Sequence, residues 1–193
     1  NTWWNQGKGF LDYIARSQFL LQQGKNVADV LVFTGESSPN TAFLKPEIKK
    51  MGFDYDLIGA NKLKDLTVKD GIIYSSVGNA YKILVLPESS FIKPETLQKV
   101  KELAEGGAIV IGKKPTQSPS LTGYPNNDKV VENYVDELWG KDLVKENSIE
   151  AVLSNQIPDF KLETSDNSDL SFIHRKTANA DIYFIANARK EAR

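Results

Sequence analysis

Between positions 25 and 147 the chain alternates short, almost wholly apolar runs with stretches whose apolar residues recur every three or four positions. The runs "VADVLVF" (27–33), "YKILVLP" (81–87) and "AIVIG" (108–112) show no in-out alternation. They read as strands buried on both faces, the usual situation in a parallel sheet. "KPETLQKVKELAEGG" (93–107) predicts a helix with Pro94 at its start, Leu97, Val100, Leu103 and Ala104 on one face, and Gly106 as its stop. "DKVVENYVDELWG" (128–140) predicts another, with Val131, Tyr134, Val135 and Leu138 turned inward. Pro46 opens a short helix in "KPEIKKMG" (45–52), and "FDYDLIGANKLKDL" (53–66) reads as an extended segment followed by a helical turn. In "TVKDGIIYS" (67–75) the Asp70-Gly71 pair separates two β-prone pieces, a hairpin signal. Three apolar strands joined by helices predict an α/β fold built on a doubly wound, mostly parallel sheet.

The two ends follow other patterns. In "WWNQGKGFLDYIARSQFLLQQG" (3–24) the charges Lys8, Asp12 and Arg16 fall on one narrow stripe, spaced i, i+4, i+8. Around the remainder lie Phe10, Leu11, Tyr13, Ile14, Ala15, Phe19, Leu20 and Leu21, an arc wider than the roughly 100° of a helix covering one domain. Burial on two sides is the expectation, with Gly24 as the left-handed stop. Near the other end "IEAVLSNQI" (149–157) reads as a helix. "LSFIHRK" and "DIYFIAN", joined by "TANA", alternate as a β-hairpin over 170–187. The expected division is an N-terminal helix (1–24), an α/β domain (25–147), and a helix plus hairpin leading towards a β-rich domain (148–193).

Composition narrows the function. A chain of 193 residues, 40% hydrophobic and 25% charged, suits one globular domain with a small appendage. Twenty-four basic against 25 acidic residues leave a net charge of −1, so no basic field favours nucleic acid or a membrane surface. No apolar run approaches the roughly 20 residues that span a bilayer. Without cysteine, disulfides, thiolate catalysis and thiolate metal sites are excluded within these residues, and a single histidine makes triads and multi-histidine metal sites hard to build.

Open α/β sheets bind ligands beyond the C-terminal ends of their strands. Those ends carry Glu36 and Glu88, and two carboxylates in such a place invite a glycosidase reading. The plainer alternative makes them solvated loop charges or partners of helix N-termini. "FTGESSPNT" (33–41) is similar to the phosphate loop of flavodoxins, giving a flavodoxin-like FMN-binding module as a second function. The helix opened by Pro46 comes several residues too late for that design. His174, beside Arg175 in the hairpin, reads as structural. "SDNSD" (165–169) lacks the glycine and final glutamate of a calcium loop and reads as a turn. Trp3 and Trp4 fit either burial against further protein or a stacking platform for a sugar ring.

Several stretches together resemble one family. "NTWWNQGKGFLDYIARSQFLLQQGKNVADVLVF" is similar to the segment that follows the catalytic barrel in bacterial family 106 glycoside hydrolases, the α-L-rhamnosidases, and more loosely to the same join in family 42 β-galactosidases. "KPTQSPSLTGYP" with "DELWG", and "FIHRKTANADIYFIAN", resemble later parts of the family 106 chain in the same order. The resemblance implies that residues 1–24 are the last helix of an upstream (β/α)8 barrel. It also implies an accessory α/β domain similar in fold to class I glutamine amidotransferases, without their activity because the cysteine is absent. The family inverts configuration with two barrel glutamates and a calcium ion, so no catalytic residue, metal ligand or cofactor is expected in this chain. Trp3, Trp4, Phe10, Leu11 and Phe19 are then expected interdomain contacts, with Glu36 and Glu88 as candidate substrate-binding residues. The implied partners are the barrel, a downstream β-rich domain and carbohydrate, with a homo-oligomer also open. The implied location is the periplasm or exterior of a bacterium.

Overall fold

The computed structural model describes residues 4–37, 45–161 and 170–187. A single 3-10 turn (Trp4–Gln6) leads into α1 (Lys8–Leu21), β1 (Lys25–Asn26) and β2 (Val30–Phe33). Next come α2 (Pro46–Lys50), β3 (Tyr55–Ile58) and α3 (Ala60–Leu63), then the short strands β4 (Thr67–Lys69), β5 (Ile72–Tyr74) and β6 (Ala80–Tyr81). β7 (Ile83–Val85), α4 (Pro94–Glu105), β8 (Ile109–Ile111), α5 (Asn126–Leu138), β9 (Val144–Lys145) and α6 (Ile149–Leu153) follow, and β10 (Leu170–Lys176) and β11 (Asp181–Asn187) close the series. Two units result, Ala28–Ser168 on the one hand and Asn1–Val27 with Asp169–Arg193 on the other.

In the larger unit the apolar runs supply the inner strands of a five-stranded parallel sheet, ordered β3-β2-β7-β8-β9. All four residues of β2 are buried, and period-2 geometry sends them to opposite faces. Leu31 and Phe33 join Leu84, Val110 and Val144 in one core, closed by Leu97, Val100 and Leu103 of α4 and Val131 and Leu138 of α5. Val30 and Val32 join Ile83 and Ile111 in the other, closed by Ile48 of α2 and Ile149 and Leu153 of α6. That double burial is why the runs carry no polar alternation.

A second sheet in the same unit, β4-β5-β6, is antiparallel. Its first turn places both Asp70 (φ 51°) and Gly71 (φ 77°) in the left-handed region, the conformation a two-residue hairpin of matching twist requires. At the end of α4, Gly106 is needed for space, since a Cβ there would overlap Val68 of β4. The left-handed stop is the next residue, Gly107 (φ 90°). Tyr81 is buried, donates to Asp56 Oδ2 at 2.8 Å and lies 3.5 Å from the Asn79 amide nitrogen.

The smaller unit carries α1 and a third sheet, antiparallel β1-β10-β11. Lys25 and Asn26 pair with Lys176 and Arg175. Gly24 (φ 57°) turns the chain so closely against the Lys176 carbonyl that a Cβ would overlap it. Arg175 then fixes the end of the helix, donating from Nε to the Gln23 carbonyl at 2.8 Å and from a terminal nitrogen to the Gly24 carbonyl at 2.7 Å. His174 is buried, stacked on Tyr183 with ring centroids 4.1 Å apart, and its Nε2 meets Asp181 Oδ1 at 2.9 Å. Asp181 is held below the usual carboxylate range, first by that histidine contact and further by Lys176.

The expected architecture, one doubly wound, mostly parallel flavodoxin-like or amidotransferase-like sheet with a hairpin attached, is corrected by these sheets. Six of the eleven strands among the described residues lie in two antiparallel sheets. The hairpin is no appendage, because β1 extends it into a sheet of its own. The physical reason is that Lys25–Asn26 and Ala80–Tyr81, two residues each, are too short to stand out as runs of their own, although they extend the hairpins at 170–187 and 67–74 into sheets. Backbone pairing recruits them all the same.

Burial, opposed by Asn79 and reinforced by Asp56, pushes the Tyr81 phenol up to about 12. Its folded value thus exceeds the unfolded value near 10, so the neutral phenol is the form the fold favours. That contribution is complete below about pH 10 and is lost as pH rises towards 12. In denaturant titrations, Tyr81→Phe should fall less steeply in stability than the parent across that window; equal slopes would contradict the assignment.

Candidate functional site

Two adjoining hollows lie at the C-terminal ends of the parallel strands. One, of about 510 Å³, is lined by the segment after β2 (Thr34, Gly35, Glu36, Ser37), that after β7 (Pro87, Glu88, Ser89), and Lys45. The other, of about 460 Å³, is lined by Gly112 and Lys113 after β8, Glu146 to Ser148 after β9, Glu47 and Glu150. Lys45, Leu86 and Glu88 border both.

The two carboxylates picked out from the sequence line the same hollow but differ in what their oxygens do. Glu36 reaches across to the start of α4, where Oε2 accepts the Lys93 backbone N–H at 2.6 Å and Oε1 accepts the Thr96 hydroxyl at 2.9 Å. Pro94 has no N–H to offer and no side chain of Lys93 caps the helix, so Glu36 is the anion that satisfies its N-terminus. Glu88 is exposed and makes no hydrogen bond or ion pair among the described residues. Around it, Lys113 is exposed, Lys45 lies 3.8 Å from Glu47, and Glu146 accepts the Lys114 backbone N–H at 3.2 Å. The floor is braced by Trp139, whose indole N–H donates to the Gly112 carbonyl at 3.0 Å. No spacing rule predicts that contact, although the tryptophan in "DELWG" was a visible apolar end to its helix.

None of the α1 residues is buried. Phe10 and Phe19 are about two-thirds exposed (67% and 66%), and Trp4, Leu11, Tyr13 and Leu20 are exposed as well. Trp3 and the "SDNSD" stretch lie outside the described residues, as do positions 38–41 of the flavodoxin-like loop. Lys8 pairs with Asp12 at 2.6 Å on the charged stripe, an exposed i, i+4 contact that adds little stability. Among the described residues no group of three or more histidine and carboxylate side chains is placed to hold a metal ion, and no helix is long and apolar enough to cross a membrane.

Against this geometry, the family model for alpha-L-rhamnosidases, glycoside hydrolase family 106, matches residues 1–193. The chain belongs to that family. This family 106 chain is 67% identical over 195 residues to a protein of Formosa agariphila provisionally named a beta-glucuronidase, a match covering 100% of the chain and 17% of that protein. The solved rhamnosidase from Novosphingobium sp. PP1Y matches at 31% identity and a TM-score of 0.80, over 96% of the chain and 19% of the rhamnosidase. The family 106 chain therefore spans less than a fifth of either relative.

Truncating the two glutamates should separate a structural from a solvated carboxylate. Glu36→Ala strands the Lys93 N–H and the Thr96 hydroxyl and should cost about 1–3 kcal/mol. Glu88→Ala should stay within about 0.5 kcal/mol, as for an exposed loop charge. Urea unfolding of the two variants measures both, and equal losses would contradict the capping role.

Proposed function

We propose that this chain is an accessory, non-catalytic part of a larger α-L-rhamnosidase-type glycoside hydrolase that acts on polysaccharide in the periplasm or outside a bacterial cell. The observation that carries the reading is the family 106 match over residues 1–193, set beside relatives more than five times as long. In this reading residues 1–24 are the last helix of the catalytic barrel, with Trp3 and Trp4 and the α1 residues Phe10, Leu11 and Phe19 as interdomain contacts. Burying each phenylalanine there is worth about 1.5–3 kcal/mol. The catalytic glutamates and any calcium ion belong to the barrel. Of the two strand-end carboxylates, Glu88 is the one with oxygens available to accept sugar hydroxyls, because those of Glu36 already hold α4.

The name of the Formosa agariphila protein points to a β-glucuronide and the Novosphingobium structure to a rhamnoside. The family match favours the rhamnoside. Assayed on aryl α-L-rhamnoside and aryl β-glucuronide, the full-length protein should cleave the former, and residues 1–193 alone should cleave neither. Turnover by the 193-residue chain would overturn the non-catalytic role, and cleavage of the glucuronide alone by the full-length protein would overturn the substrate.

A further inference from the structure

The segment between β8 and α5 holds Leu121 and Tyr124 outward although the loop itself is well braced. Leu121 is 85% exposed and Tyr124 67% exposed. Between Pro115 and Pro125 there is no charged residue, in a chain that is 25% charged. The loop nevertheless carries its own framework. The Ser118 N–H donates to Asp128 Oδ1 at 2.9 Å, the Asn127 amide donates to the Thr122 carbonyl at 2.6 Å, and the Tyr124 N–H donates to the Leu121 carbonyl at 3.2 Å. Gly123 (φ 72°) sits against the Asn127 side chain, where a Cβ would crowd it. At the base, Gln117 forms a parallel bridge with Phe91, another exposed apolar side chain.

Water is a poor environment for Leu121, and a braced loop loses little conformational freedom when it docks. Absence of charge with an aromatic and an aliphatic side chain at the tip is the composition of an interface centre. A sugar ring would use Tyr124 but has no use for the leucine, so a protein surface fits the pair better. The chain spans 17% and 19% of its relatives, which leaves most of such a protein to supply that surface at high effective concentration.

We propose that Leu121 and Tyr124 form a docking tip inserted into an apolar recess in the remainder of the same polypeptide, a contact separate from that of α1. The proposal rests on the chain being part of a larger protein and does not depend on which glycoside that protein cleaves. The experiment places p-benzoylphenylalanine at position 124 of the full-length protein, irradiates it, and maps the cross-linked peptides by mass spectrometry. An intramolecular cross-link from position 124 to a residue outside 1–193 is expected, and adding Leu121→Asp should lower its yield several-fold.

A covalent dimer would assign the tip to a second copy and overturn the proposal. Cross-links confined to residues 1–193, or none, would overturn it too, as would a cross-link that Leu121→Asp leaves undiminished. If the yield collapses on adding rhamnose oligosaccharide, the tip is a sugar platform and the proposal fails. A protein that cross-links as expected but cleaves no rhamnoside would keep the docking tip and refute only the proposed activity.

Discussion

Keeping water off both faces of β2 is the constraint on which the larger unit depends. Its four residues are buried and their side chains divide between two cores, so neither face can be left open. α4 and α5 close one side, and α2 and α6 the other. The Glu36 cap belongs to the same requirement: it follows the end of β2 and satisfies the half-buried N-terminus of α4 from 57 residues away. Strand and covering helix are thereby tied at the end of the sheet where the hollows lie. Glu36 is thus a structural group at the strand-end position where sequence reasoning looks for a catalytic carboxylate.

The same physics makes α1 the anomaly. Its sequence carries eight apolar side chains, from Phe10 to Leu21, yet none of its residues is buried. The smaller unit fixes where the helix ends through Gly24 and the two Arg175 donors, so the exposed face is held on a defined support. Phe10, Leu11, Tyr13, Phe19 and Leu20 are all exposed, with Phe10 and Phe19 nine residues apart and so on opposite sides of the helix. The chain belongs to family 106 and spans 17% of its Formosa agariphila relative, which is the setting in which the proposed interface of α1 is to be tested.

Much of this could be read from the residues. The apolar runs located β2, β7 and β8, the Pro94 start and the apolar spacing located α4, and Asp70-Gly71 located the β4–β5 turn. What stayed hidden was the third strand of each antiparallel sheet, β1 above all, because pairing of Lys25–Asn26 with β10 joins positions about 150 residues apart and leaves no local pattern. Glu36 and Glu88 were found as a pair, but the difference between them rests on Lys93 and Thr96, which no spacing connects to residue 36. Arg175 escaped for the same reason, since its acceptors are backbone carbonyls at the far end of the chain. The family resemblance came from ordered motifs, where local pattern alone stopped at individual strands and helices and misjudged how the sheets are composed.

The central claim is that the apolar face of α1 is an interface within a larger glycoside hydrolase. Hydroxyl-radical footprinting of the full-length protein tests it most directly, read as labelling rates at Trp4, Phe10 and Phe19 corrected for intrinsic reactivity. The account predicts rates typical of buried side chains at all three. Rates typical of fully solvated tryptophan and phenylalanine would contradict it.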